Sequence, residues 1–166
     1  MWMQVMSSPA SSDLHKAALA SALRWLARRE YARAELAQRL AQAGYPAPLV
    51  EDVMDQLVTD GWLSDQRFAE SFRRSRSARG YGPVRIRYEM RMRGVPDAMI
   101  DAEVAASGRE SDDLVRQLYA RKYRGIPPAS VQERAARTRF LLRRGFAMSQ
   151  IQPLLGASCE SNEPLE

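Results

Sequence analysis

Arg73, Arg74, Arg76 and Arg79 put four guanidinium groups within seven residues, next to Tyr81 in a Gly80-Tyr81-Gly82 turn. A guanidinium is planar, permanently charged, and makes bidentate contacts with phosphate or carboxylate. The chemistry this spacing suits is contact with an anionic surface. So dense a cluster repels itself unless an anion is near. Arg85 and Arg87 follow within a few residues, and Arg143 and Arg144 form a second basic pair. These eight arginines and Tyr81 are the candidate contact residues. Tyr81 offers a stacking face to a base, though a tyrosine in a turn between helices is more often packed.

No residue type or spacing in the chain points to a catalytic role. His15 is the single histidine and Cys159 the single cysteine. No metal site assembles from the usual soft ligands, and no serine has a histidine partner or nucleophile-elbow spacing. Paired carboxylates lie on polar helix faces, where solvation is the default. Gly80-Tyr81-Gly82 lacks the Lys-Ser/Thr of a phosphate loop, and no strand precedes it. Trp25, Trp62, Met90 and Met92 read as core. The sequence predicts no enzyme, no cofactor, no metal and no small-molecule substrate.

The elements that must position the arginines carry a threefold repeat. Leu40, Gly44 and Val50 have the spacing of Met90, Gly94 and Ile100, and of Leu141, Gly145 and Ile151. Glycines 50 and 51 residues apart mark tandem helical modules. Apolar periodicity near 3.6 residues dominates throughout. A first helix is predicted over Asp13–Arg29 with Ser12 or Asp13 as its cap. A second runs from about Arg33 to Ala43, and a third carries Val50, Val53, Met54 and Leu57. Ser64 caps the next helix, with Phe68, Ala69 and Phe72 as its stripe. Pro83 opens a helix with Ile86 and Met90. A short helix with Ile100 and Val104 stops near Gly108. Leu114, Val115, Leu118 and Tyr119 mark the first helix of the third repeat, followed by an insertion at Gly125–Pro128. Ser130 and Glu133 have capping-box spacing, and Pro153 weakens a last short helix. Val84–Tyr88 alternates like a strand but would be isolated, which excludes it. The expected fold is all-α, three tandem three-helix modules in an elongated array. The expected boundaries are residues 14–61, 62–108 and 109–156, with disordered ends at 1–13 and 157–166.

Charge follows the repeat. Lys16–Arg39 has net +4, Glu51–Asp65 −5, Arg67–Arg93 +7, Asp97–Asp113 −5 and Arg116–Arg144 +8. Complementing helix dipoles accounts for part of this. In a helix-turn-helix, the helix after each glycine would enter the groove. Here it carries Glu51, Asp52 and Asp55, then Asp97, Asp101 and Glu103, and phosphates repel such charge. Nucleic acid contact is therefore expected through the basic helices and the phosphate backbone alone.

Over 166 residues the net charge is +5, and 45% of residues are hydrophobic. No apolar run approaches membrane-spanning length, and the first residues lack signal-peptide organisation. The expectation is a cytoplasmic monomer that does not engage membranes.

Asp60-Gly61-Trp62-Leu63-Ser64-Asp65, then Arg67-Phe68-Ala69 and Phe72, resemble the RecX family of bacterial recombination regulators. Gly80 to Ile86 with Glu89 and Arg93-Gly94-Val95 continue the resemblance, and Phe140-Leu141 with Arg144-Gly145-Phe146 close it. The resemblance covers roughly Ala17 to Leu155. It implies a string of three-helix modules that binds RecA and its DNA filament and mostly inhibits recombinase, ATPase and co-protease activity. It carries no catalytic residues. The alternative is a free-standing DNA-binding protein without sequence preference.

Overall fold

The computed structural model describes residues 9–156. Among them the chain is helical throughout: α1 (Pro9–Leu26), α2 (Arg33–Gln42), α3 (Ala47–Thr59), α4 (Asp65–Ala78), α5 (Pro83–Arg91), α6 (Asp97–Ala106), α7 (Gly108–Tyr123), α8 (Val131–Arg144) and α9 (Met148–Ile151), then one 3-10 turn, Gln152–Leu155. Val84–Tyr88 is helical within α5, as expected.

The repeated glycine has a single structural role. Gly44, Gly94 and Gly145 all take the left-handed conformation, at φ 93°, 76° and 88°. In each case the glycine N–H bonds the carbonyl three residues back. The next N–H bonds the carbonyl five residues back: Tyr45 to Leu40 at 3.3 Å, Val95 to Met90 at 3.3 Å, Phe146 to Leu141 at 3.2 Å. This is the Schellman helix stop, in which the residue after the glycine packs onto the apolar residue that opens the motif. All six flanking apolar residues of the phrase are buried.

The chain divides into two compact units. One holds the described residues up to Phe72 together with Met90–Ile100; the other holds Arg73–Glu89 and the described residues from Asp101 onward. The division passes through α4, α5 and α6. The first unit buries Leu36, Leu40, Val53, Met54, Leu57 and Leu63 in one core. The second buries Val115, Tyr119, Leu141, Phe146, Ile151 and Leu155, with Tyr123 and Phe140 packed against them.

Caps follow the sequence closely. Ser64 Oγ accepts from Arg67 N–H at 3.2 Å, and Ser130 Oγ accepts from Glu133 N–H at 3.1 Å. The return bond of the second cap goes one residue further, from Ala129 N–H to Glu133 Oε2 at 2.8 Å. Asp65 opens α4 and also accepts the first N–H of α2, from Arg33, at 2.7 Å. One carboxylate thus serves two helix starts, where unpaired donors and the dipole both favour it.

Several expectations need correction. α1 begins at Pro9 rather than at Ser12 or Asp13, because proline at the first position sacrifices no intrahelical bond. The disordered ends expected at 1–13 and 157–166 lie outside the described residues except for Pro9–Asp13, which is helical; Cys159 lies outside them too. The short helix α6 stops near Gly108 as expected, at Ala106; the break falls at buried Ser107, whose Oγ donates to the Val104 carbonyl, and Gly108 itself begins α7. Met92 is 68% exposed and Trp62 59% exposed, so neither is core. Met92 falls just past the end of α5, outside the turn that buries Met90. Trp62 precedes Leu63, and the chain there is too tight to bury both.

Candidate functional site

The candidate arginines sit in the second unit, on α4, α5, α8 and the turn between α4 and α5. That turn is held by helix ends meeting head to tail. Gly82 N–H donates to the Arg144 carbonyl at 2.8 Å, and Val84 N–H donates to the Gly145 carbonyl at 2.9 Å. The unpaired donors at the start of α5 thereby satisfy the unpaired acceptors at the end of α8. The approach is close: a Cβ on Gly82 would lie 2.5 Å from the Gly145 oxygen.

Tyr81 is half-buried at the centre of this contact. The Arg85 guanidinium lies 4.2 Å from its ring centroid, that of Arg144 at 5.5 Å and that of Arg76 at 5.8 Å. Three of the candidate arginines are therefore gathered on one aromatic ring by cation–π attraction. The ring is packed between guanidiniums rather than presented as an open stacking platform.

The cluster resolves its own repulsion internally. Glu89 takes Arg76 Nε at 2.7 Å on one oxygen and Arg85 Nε at 2.9 Å on the other. The hydrogen bond that Arg85 donates to Glu89 holds its guanidinium above its ordinary value. Arg73, only 16% exposed in its side chain, donates to Glu103 at 3.2 Å and to Glu110 at 2.7 Å. Arg87 pairs with Asp101. Arg144 Nη1 donates to the Arg79 carbonyl at 2.9 Å, and Arg85 Nη1 donates to the Arg143 carbonyl at 3.5 Å. The acids of α6 and α7 are thus partners of the basic α4 and α5.

What remains is a smaller set. Arg74, Arg79 and Arg143 are exposed. Among the described residues their side chains form no ion pair or hydrogen bond. The main chains of Arg79 and Arg143 are both fixed at the α4–α5 and α8 contact, so their free side chains rise from a rigid base.

Arg137 was not among the candidates, because its role is internal. It is 5% exposed and donates to Tyr119 Oη at 2.6 Å, to the Ile126 carbonyl and to Glu133, with its guanidinium 4.3 Å from the Tyr123 ring. It pins the Gly125–Pro128 insertion to α7 and α8. His15 is half-buried and bonds Gln56 Oε1 at 2.8 Å. No group of acidic, histidine or cysteine side chains among the described residues is arranged to hold a metal ion. No helix among them is long and apolar enough to cross a membrane.

Three profiles of one family match in tandem: the RecX first three-helix domain over residues 18–57, the second over 64–103 and the third over 110–155. The chain belongs to the RecX family. It is 40% identical over 147 residues to the Regulatory protein RecX of Pseudomonas savastanoi pv. phaseolicola, covering 89% of this chain and 95% of that protein. To the Regulatory protein RecX of Halorhodospira halophila it is 41% identical over 143 residues, covering 86% and 89%. The crystal structure of RecX from Lactobacillus salivarius superposes with a TM-score of 0.72 at 18% identity, covering 87% of this chain and 96% of that one. A second crystal structure, of a regulatory protein RecX, gives a TM-score of 0.76 at 21% identity, covering 93% and 79%. The family consists of regulatory proteins built from tandem three-helix domains, and the expected all-α repeat is its fold.

Proposed function

We propose that this RecX-family protein binds RecA and RecA–DNA filaments and restrains recombinase, ATPase and co-protease activity. The observation that carries the reading is the set of three exposed, unpartnered guanidiniums of the second unit, Arg74 within α4 and Arg79 and Arg143 at the braced helix ends. Each offers bidentate bonding to carboxylate or phosphate without first breaking an internal pair. The ion-paired arginines supply the rigid frame. Arg73, Arg76, Arg85, Arg87, Arg144 and Tyr81 remain part of the proposed surface through that frame. The protein acts as a monomer in the cytoplasm and needs no cofactor.

Charge reversal tests this. The triple variant R74E/R79E/R143E keeps its fold and loses inhibition of RecA ATPase and co-sedimentation with RecA filaments. Unchanged inhibition overturns the placement.

The same free guanidiniums support a second reading, in which the protein binds DNA directly without RecA. Its signature is an affinity that falls with salt at a log–log slope of about −0.7 to −0.9 per phosphate contact. A DNA titration at physiological salt without RecA separates the two. Tight binding there favours the second reading, and weak binding beside tight filament binding favours the first.

A further inference from the structure

The first unit carries a pocket that the arginine surface does not use. It measures about 410 Å³ and is lined by Leu23, Leu26, Ala27, Glu30, Trp62 and Arg67. Leu23 and Leu26 pack against the unit's core and give it an aliphatic floor. Trp62 forms a wall and is 59% exposed. An indole has an apolar face and one N–H donor, and tryptophan is enriched at interfaces for that reason.

Trp62 is held in place. The next residue, Leu63, is 2% exposed, and its N–H bonds the Leu57 carbonyl at 3.0 Å. Anchoring Leu63 in the core leaves Trp62 facing out. The Trp62 carbonyl accepts from Arg67 Nη2 at 3.1 Å, and Arg67 Nε donates to Glu30 Oε1 at 3.1 Å. Glu30 is thus fixed at the pocket edge by one oxygen. Its other oxygen, Oε2, is buried and accepts no hydrogen bond. An ionised carboxylate has about four lone-pair sites, and a buried oxygen left unmet is costly. The terminal torsion of glutamate is broad, so a small turn brings Oε2 toward a donor in the pocket while Oε1 stays with Arg67.

Aliphatic floor, indole wall and an unmet carboxylate oxygen describe one kind of guest. It has an apolar stem, a flat cationic face and several N–H donors. Arginine meets all three: its stem lies on apolar surface, its guanidinium stacks on an aromatic face, and its donors bond carboxylate. A pocket of this volume falls in the range of small ligand sites, about 300–1,000 Å³, with room for an apolar neighbour beside the arginine.

We propose that the Trp62–Glu30 pocket receives an arginine side chain, flanked by apolar residues, from a protein partner. The guest guanidinium stacks on Trp62 and donates to Glu30 Oε2, while Arg67 keeps Oε1. Tryptophan and arginine are the residues most often found to dominate interface energetics. The proposal concerns the first unit alone and does not rest on the reading of the arginine surface.

The test uses the full chain and a capped leucine-arginine-leucine peptide, followed by the indole N–H resonances in NMR; W62F identifies the Trp62 signal. The expected result is a saturable shift of that signal. A peptide with citrulline in place of arginine, which keeps the shape and loses the charge, binds about tenfold more weakly. In E30Q the gap between the two peptides narrows, and what remains reports the stacking of the charged group on Trp62. No shift, or equal affinity for both peptides in the unsubstituted protein, overturns the proposal. So does a concentration-dependent dimer in sedimentation that W62A abolishes, since a second copy would then be the occupant.

Discussion

A Cβ placed on Gly145 would fall 2.3 Å from Cβ of Arg85 and 2.6 Å from its backbone nitrogen. Gly145 both stops α8 and lies against the start of α5. Gly44 stops α2 with the same backbone geometry, but a Cβ there meets nothing within 4 Å. The two glycines separate the conformational part of the motif from the packing part. Gly44→Ala should cost about 1 kcal/mol, the left-handed penalty alone. Gly145→Ala adds the overpacking against backbone and should cost about 3 kcal/mol. Urea denaturation of both variants decides it; equal costs would mean that α5 yields easily.

Arg73 and Arg74 are neighbours in sequence with opposite fates. Arg73 is shielded and doubly paired with Glu103 and Glu110, whereas Arg74 is exposed and unpaired. Removing one partner of a buried pair strands the other charge, at about 3 kcal/mol. R73A should therefore destabilise by that order, and R74A by less than about 0.5 kcal/mol. Thermal unfolding checks the contrast. It also warns that any loss of binding in R73A must be corrected for unfolding, while a loss in R74A reports the surface itself.

Glu133 gives the acid response a direction. Its hydrogen bond from Arg137, then that from Ala129 N–H, holds its carboxyl below the ordinary value of 4.5. A depressed carboxylate contributes stability that is fully present above its unfolded value and is lost as pH falls through its folded one. The contribution should be intact at neutral pH and fade below about pH 4.5. E133Q should remove that part of the acid dependence. Unfolding midpoints from pH 7 to pH 3 test it, and an unaltered slope in E133Q would show that other carboxylates carry the acid transition.

The repeat was legible because each copy of the glycine phrase encodes one local object, a Schellman stop with its apolar clasp. Local bonding of that kind depends on neighbours within six residues. The arginine cluster was legible only as composition. Its repulsion was real, but Arg73 is neutralised by Glu103 and Glu110, 30 and 37 residues away in the chain, and Arg76 by Glu89 on the next helix, partners that meet them only after folding. Trp62 was misread for a related reason. Hydrophobicity says that a tryptophan prefers burial, and only the anchoring of Leu63 decides which of two adjacent apolar residues faces outward. Arg137 gave no signal, since one arginine among many looks the same whether it is exposed or pinned beneath an insertion.

The division into two compact units makes a last prediction about cooperativity. Phe146 is 1% exposed and belongs to the core of the second unit, while Leu40 is fully buried in the core of the first. Each also forms half of a Schellman clasp, with Leu141 and Tyr45 respectively. Phe146→Ala should cost about 3–5 kcal/mol and Leu40→Ala about 2–5 kcal/mol. If the units open separately, native-state hydrogen exchange will show the loss locally. F146A should then accelerate exchange in α7 and α8 and spare α2 and α3, and L40A should do the reverse. Uniform acceleration in both variants would mean that α4, α5 and α6, which run through both units, bind them into a single cooperative body.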